Sequence, residues 1–172
     1  FMISRNNVLK RTKENLDPIF NAQTAAFERL AKNRKLTEGR VRFNFIGDTK
    51  ILPEKYNNVI SKLASKTKNS SNKICNFLVA YDGASELIET IKKLKSLNSD
   101  ISEVTLYDYL QLKTPVDLVV RTGGNKRLSG CPLIQTSYAE LYFADCYYPE
   151  LTSEKLHDII DEYNLRERRF GK

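Results

Sequence analysis

Eight consecutive residues, Ile74-Cys75-Asn76-Phe77-Leu78-Val79-Ala80-Tyr81, are apolar or aromatic with one amide among them. Successive strand residues point to opposite faces, so a run of this kind must be covered on both sides. A central strand of a parallel sheet, with helices above and below, meets that requirement. Asp82-Gly83 ends the run and opens a helix with Leu87, Ile88, Ile91 and Leu94 at helical spacing.

The flanking sequence alternates the two periods. Over residues 12–30, Leu16, Ile19, Phe20, Phe27 and Leu30 form one helical face, with Asp17-Pro18 spaced as N-cap and first helical residue. Val41-Arg42-Phe43-Asn44-Phe45-Ile46 alternates as a strand and stops at Gly47-Asp48. Pro53 opens a helix carrying Tyr56, Val59, Ile60 and Leu63, and the polar residues 66–73 read as a loop. Residues 104–110 form a short helix with Thr105 and Asp108 spaced as a capping box. Residues 116–120 and 141–143 are further strands. Thr152 caps a last helix, with Leu151 and Leu156 as its staple and Ile159, Ile160 and Tyr163 on its apolar side. The expected fold class is α/β, a mainly parallel central sheet flanked by helices, in one domain over residues 1–172. Phe1-Met2-Ile3-Ser4 reads as a strand entered at its middle, so the domain is expected to be N-terminally incomplete, its first strand missing.

The chain carries 28 Lys and Arg against 21 Asp and Glu, a net charge of +7. That favours anionic partners without choosing among them, since a solvated basic surface has the same composition. No apolar run approaches the ~20 residues of a membrane-spanning helix, and no secretory leader is visible. Cys75, Cys131 and Cys146 are odd in number and lack Cys-x-x-Cys spacing, which points to a reducing cytoplasm rather than a disulfide framework or zinc site. His157 is the single histidine, so Ser-His-Asp and Cys-His catalysis would rest wholly on it and are set aside.

Ligands of open parallel sheets bind beyond the strands' carboxyl ends. After the strand at residues 116–120 comes Arg121-Thr122-Gly123-Gly124-Asn125-Lys126-Arg127-Leu128-Ser129-Gly130. Two glycines, three cations and two hydroxyls suit a diphosphate, because guanidinium grips phosphate oxygens in pairs and glycine lets the backbone approach. The same residues would also serve as a basic turn requiring glycine. Glu140 is read either as a carboxylate for Mg²⁺ or as an exposed strand-edge residue.

Arg121-Thr122-Gly123-Gly124, Arg127-Leu128-Ser129, Gln135, Tyr138-Ala139-Glu140-Leu141-Tyr142-Phe143, Asp145, Pro149 and Arg166-Glu167-Arg168-Arg169-Phe170-Gly171 together resemble the cis-prenyltransferases, the undecaprenyl diphosphate synthase-like isoprenyl transferases. Ile46-Gly47-Asp48, Ala80-Tyr81-Asp82-Gly83 and Ser4-Arg5-Asn6-Asn7-Val8 extend the resemblance upstream. It implies condensation of isopentenyl diphosphate with an allylic prenyl diphosphate, forming a new cis double bond with the aid of Mg²⁺. It further implies that Arg121, Arg127 and Ser129 bind the isopentenyl diphosphate group and that Glu140 takes part in the metal site. Ser4 and Asn7 would assist catalysis, and Lys10 would stand in for a substrate-binding Arg. Arg169 and Gly171 match a C-terminal element that reaches a partner's site, implying a homodimer or a heterodimer with a related chain.

The family's N-terminal strand and Asp-containing diphosphate loop have no counterpart in these residues, so the 172-residue segment by itself is expected not to turn over. Asn125 replaces an acid, Gly130-Cys131-Pro132 and Ile134 replace larger side chains, and Val8 and Tyr148 replace Trp, which bears on product length. The alternative is a non-catalytic subunit of a heteromeric cis-prenyltransferase. A nucleic-acid module is disfavoured because basic and aromatic residues do not interleave. The expected location is cytoplasmic, with a peripheral membrane contact compatible with the charge.

Overall fold

The apolar run becomes the middle of a parallel sheet. In the computed structural model, which describes residues 1–99 and 101–168, β1 (Ile3–Ser4), β2 (Val41–Ile46) and β3 (Lys73–Tyr81) lie in the order β1-β3-β2, with both pairings parallel. β2 runs in unbroken register from Val41 beside Lys73 to Ile46 beside Leu78. The one amide of the run is accommodated across this pair, where Asn44 Nδ2 donates to Asn76 Oδ1 at 2.8 Å. β1 reaches β3 only near Val79 and Tyr81. Coverage is correspondingly uneven: Val79, Ala80 and Tyr81 are buried, whereas Ile74 is half exposed.

The chain divides into two compact units, Phe1–Glu89 and Thr90–Lys172. In the first, α1 (Arg5–Lys10), α2 (Lys13–Lys32), α3 (Arg34–Thr37) and α4 (Glu54–Thr67) accompany the sheet. α2 starts before the position its sequence suggests. Thr12, rather than Asp17, is its N-cap residue, and the Thr12 carbonyl accepts from the N–H groups of Asn15 and Leu16. Pro18 therefore lies inside the helix. It removes one donor to the Glu14 carbonyl, and both residues are exposed, where water can replace that bond. The gain is that Leu16 joins Phe20 and Phe27 on the buried side.

Those residues pack with Ile3, Phe43, Leu52, Tyr56, Ile60, Leu63 and Val79. Edge-to-face ring contacts join Phe27 to Phe77 at 4.9 Å and to Phe45 at 5.1 Å, and Phe20 to Tyr56 at 5.3 Å. Such offsets set the negative face of one ring against the positive edge of another. Tyr56 satisfies its hydroxyl on Gln23 Oε1 at 2.8 Å, and burial pushes its phenol well above the ordinary value.

α5 (Gly83–Ser96) begins in the first unit and ends in the second. Its apolar residues do not all face inward. Ile88 and Ile91 are exposed, while Glu86, Thr90 and Leu94 are buried. The buried stripe has 4-residue spacing through two polar positions, which an apolar periodicity cannot register. Glu86 is made compatible with burial by accepting from Tyr81 Oη at 2.5 Å.

In the second unit α6 (Glu103–Tyr109) is capped by Ser102 with Thr105 rather than by Thr105 with Asp108. The cap lies one turn upstream, where Ser102 Oγ can reach the Thr105 N–H. β4 (Leu118–Arg121) and β5 (Glu140–Phe143) form a parallel pair, and α7 (Ser153–Asn164) follows with Thr152 Oγ accepting from Lys155 N–H at 3.3 Å. All strand pairings among the described residues are parallel, as the α/β reading requires. No helix among the described residues is long and apolar enough to cross a membrane.

Leu63 is fully buried. Leu63→Ala is expected to cost about 3 kcal/mol of unfolding free energy, the usual loss for a core leucine truncation. Ile88→Ala should change it by less than about 0.5 kcal/mol, as for an exposed surface site. Chemical denaturation of the two variants measures both.

Candidate functional site

Two groups of predicted residues lie at strand carboxyl ends, one in each unit. In the first unit the strand exits are drawn together at Gly47. A Cβ there would lie 1.9 Å from the Val79 carbonyl oxygen, and its φ of +133° is one that side chains resist. The next residue, Asp48, donates its N–H to the Ala80 carbonyl at 3.2 Å, and Ala80 itself holds a φ of +45°. Arg5 Nε then reaches Asp48 Oδ2 at 3.3 Å.

Ser4, the last residue of β1, pairs with Tyr81 at the same end of the sheet. Its Oγ accepts the Asn7 N–H at 3.1 Å, so Ser4 is the N-cap of α1 and holds Asn7 one turn along. Lys10, in the last turn of α1, is exposed. Ser4 and Asn7 are thus brought together. Asp48 and Arg5 stand at the same edge, though the sequence reading assigned them no role. Their signal was the Gly-Asp step after β2, which marks a strand exit without revealing what the carboxylate faces.

In the second unit β4 ends at Arg121, and its exit is tied to that of β5: Ala144 N–H donates to Arg121 O at 2.8 Å and Gly123 N–H to Cys146 O at 2.9 Å. Gly123 and Gly124 take φ of +85° and +72°. An added Cβ would meet nothing within 4 Å at either, so backbone conformation rather than space selects glycine here. The loop turns back so that Arg121 Nη1 donates to Ser129 Oγ at 3.1 Å and to the Arg127 carbonyl oxygen. Ser129 adopts a left-handed φ of +56°, the backbone state from which its Oγ meets Arg121.

Arg121, Arg127 and Ser129 therefore share one loop, with the Lys126 and Arg127 side chains exposed. The glycines serve the turn, and the turn gathers the cations. Burial pushes the Cys131 thiol up, with the Arg121 charge pulling weakly the other way.

Glu140 is placed differently. It is the first residue of β5, beside Leu118, whereas Arg121 pairs with Phe143 three residues further on. At ~3.3 Å per residue this is about 10 Å along the strands. Glu140 Oε2 accepts from Arg166 Nη1 at 2.9 Å, and Arg166 Nη2 also donates to Glu162 Oε1 at 2.5 Å. These bonds, first to Glu162 and then to Glu140, raise the Arg166 guanidinium above its ordinary value. Arg168 donates to Asp117 Oδ1 at 2.6 Å and to Tyr163 Oη at 2.9 Å. The structure does not bring Glu140 into the Arg121 loop. Arg169 and Gly171 lie outside the described residues.

Among the described residues no three His, Cys, Asp or Glu side chains converge as ligands for an ion. Mg²⁺ asks for near-octahedral oxygen coordination, and Glu140 offers one carboxylate already engaged by a cation. These residues do not by themselves fit a complete protein metal site.

Comparison with known proteins agrees with the fold. The family model described as "Putative undecaprenyl diphosphate synthase" matches residues 1–171. A tritrans,polycis-undecaprenyl-diphosphate synthase (geranylgeranyl-diphosphate specific) of Pyrobaculum aerophilum is 37% identical over 179 residues, covering 100% of this chain and 75% of the relative. Across such curated relatives the chain spans 65% to 75% of their length. The crystal structure of a probable undecaprenyl diphosphate synthase from Campylobacter jejuni superposes with a TM-score of 0.91 at 34% identity, covering 100% of this chain and 81% of that one. Lavandulyl diphosphate synthase from Lavandula x intermedia, solved in complex with dimethylallyl diphosphate, gives 0.90 at 26% identity, covering 99% and 77%. With its parallel strands, its Arg-Thr-Gly-Gly exit loop and a match along its whole described length, the chain belongs to the undecaprenyl diphosphate synthase family, the cis-prenyltransferases, enzymes that lengthen prenyl diphosphates.

Proposed function

We propose that this chain acts in cis-prenyl elongation and that residues 121–130 grip the diphosphate of isopentenyl diphosphate. The observation that carries the reading is the contact of Arg121 Nη1 with Ser129 Oγ at 3.1 Å, inside a double-glycine loop at a strand's carboxyl end. One guanidinium nitrogen is engaged by the loop. Nε and Nη2 make no hydrogen bond among the described residues and retain donors for phosphate oxygens. Arg127 and Lys126 add exposed cations, and Ser129 a hydroxyl. The family match running through both units supports treating residues 1–172 as one functional domain.

In the proposed reaction the C1–O bond of the allylic diphosphate breaks and diphosphate leaves with the electron pair. C4 of isopentenyl diphosphate bonds to that C1, and a proton leaves C2 to complete the new cis double bond. The cationic loop holds the diphosphate of the attacking substrate and disperses its charge. Ser4 and Asn7, held together at the carboxyl edge of the first sheet, are proposed to assist near the departing proton and diphosphate, with Lys10 contributing a cation. The lavandulyl diphosphate synthase complex with dimethylallyl diphosphate supports an allylic diphosphate as the other substrate. Arg169 and Gly171 are proposed to complete a partner subunit's site in a homodimer or heterodimer.

Mg²⁺ enters the proposal as a companion of the substrate diphosphates, whose oxygens and bound water supply most of its ligands. Glu140 is the carboxylate proposed to join it, in place of its bond to Arg166. The free thiols Cys75, Cys131 and Cys146 support a reducing, cytoplasmic setting.

Radiolabelled isopentenyl diphosphate, Mg²⁺ and dimethylallyl, farnesyl or geranylgeranyl diphosphate, incubated with the full-length gene product, should yield elongated cis-prenyl diphosphates. No elongated product from any of the three primers, with or without a related partner chain, overturns the proposal. Arg127→Ala should raise KM for isopentenyl diphosphate at least about tenfold, the worth of one charge-assisted phosphate bond, with a smaller change in kcat. Equal KM values in variant and parent would remove Arg127 from the diphosphate site.

Cys131 reports on the loop independently of turnover. Its thiol is raised by burial and lowered by Arg121, so Arg121→Ala should raise it further and slow its alkylation at pH 8. Mass-spectrometric alkylation rates at Cys131 in variant and parent measure this; an unchanged rate would show that the Arg121 charge does not act on the thiol.

A further inference from the structure

The opposite, amino-terminal end of the first sheet carries a charge concentration that the prenyl-transfer reading leaves unused. Residues 29–42 hold Arg29, Lys32, Arg34, Lys35, Arg40 and Arg42 with Glu38 as their one acid, and residues 55–81 contain no acid at all. The fold merges these segments. Val41 pairs with Lys73 at the start of β2 and β3, and Lys73 N–H donates to the Arg40 carbonyl at 3.1 Å. Lys66 Nζ reaches the Ala31 carbonyl at the end of α2 at 2.7 Å. At this junction Lys35, Leu36, Arg40, Val41, Asn72 and Lys73 line a cavity of about 350 Å³.

Some of these cations have structural explanations. Lys32 and Lys66 lie at helix carboxyl ends, where positive charge is favoured, and Arg34 is paired with Glu38. Lys35, in the last turn of the four-residue α3, and Arg40 and Lys73, which lie at no helix end, are all exposed and make no ion pair among the described residues. Three unpaired cations around one cavity repel one another, so an anion is the partner that relieves them.

We propose that this face docks on an anionic lipid bilayer, with Lys35, Arg40 and Lys73 on lipid phosphates and Leu36 and Ile74 toward the acyl boundary. Leu36 is 36% exposed and Ile74 52% exposed, each set among cations. That mixture fits a headgroup layer, where the stems of Lys and Arg lie along apolar material and their charges reach phosphate. A nucleic acid would want exposed aromatic rings for its bases, and residues 29–42 and 62–73 expose none. β2 is six residues long, so the face stands about 20 Å from the carboxyl edge that holds Ser4 and Asn7. Docking would therefore leave that edge open.

The test is sedimentation of the whole chain with vesicles of phosphatidylcholine alone or with 30% phosphatidylglycerol. Binding should require phosphatidylglycerol and weaken as salt is raised through the Debye-screening range. The triple variant K35Q/R40Q/K73Q should partition about 100-fold less, about fivefold for each cation removed. The control K50Q/K55Q/K113Q, with the same loss of net charge, should change partition by less than about threefold. Circular dichroism melts of both variants verify that they fold. Equal losses in the two triples, or equal binding to the uncharged vesicles, overturn the proposal. So does tighter binding of a 20-nucleotide RNA, or of free inorganic diphosphate without vesicle binding, through the same three residues. Prenyl-transfer activity is not among the readouts, so this proposal and the catalytic one fail separately.

Discussion

The missing side chain at position 47 is the constraint on which the first unit's carboxyl edge depends. Because a Cβ would overlap the Val79 carbonyl at 1.9 Å, the exit of β2 lies against the backbone of β3 only while that residue is glycine. The closeness lets Asp48 N–H bond the Ala80 carbonyl and sets the carboxylate where Arg5 meets it. Ser4 pairs with the same stretch of β3 and passes its position on to Asn7 through the α1 cap. The Ser4 hydroxyl is thus held by the backbone of α1, which also fixes where the Asn7 main chain sits.

The second unit reaches a similar result by another route. Its exits are not pressed together by a steric requirement; they are joined by hydrogen bonds between the ends of β4 and β5, after which two left-handed glycines reverse the chain. The reversal folds the loop over the Arg121 guanidinium. A single arginine on an open strand end would have to be ordered by the ligand, whereas here the internal bonds to Ser129 and to the Arg127 carbonyl set its fork beforehand.

What could be read from residues alone follows the type of signal. β2 is recovered to the residue and β3 to within one, because a strand's alternation or continuous apolarity is local. The cap of α2 was misplaced because Asp17-Pro18 has stronger capping chemistry than Thr12, and only the burial of Leu16 in the aromatic core decides for the earlier start. The inward face of α5 was hidden for the opposite reason. Glu86 and Thr90 are polar, and no periodicity shows that Tyr81 will satisfy the carboxylate. The Arg121 loop was readable because its glycines, cations and hydroxyls are contiguous. The Arg166 bond to Glu140 was not, since it joins positions 26 residues apart through a side-chain geometry that spacing does not encode.

The net charge of +7 carries information only after the engaged cations are separated from the others. Arg5, Arg34, Arg166 and Arg168 face acids, and Lys32 and Lys66 lie at helix carboxyl ends. Those charges already have internal partners and tell little about external ones. Two clusters of exposed cations make no ion pair among the described residues: Lys126 with Arg127 beyond the carboxyl end of β4, and Lys35 with Arg40 and Lys73 at the amino ends of β2 and β3. Each lies in a setting suited to phosphate, but the settings differ in shape. The first is a reversed loop with glycine backbone and hydroxyls, suited to enclosing a small diphosphate. The second is a broad junction of strand starts and helix ends with exposed leucine and isoleucine, suited to lying against a surface that is charged at its face and apolar beneath. One surplus of positive charge can therefore serve two kinds of phosphate, distinguished by what lies beside the cations.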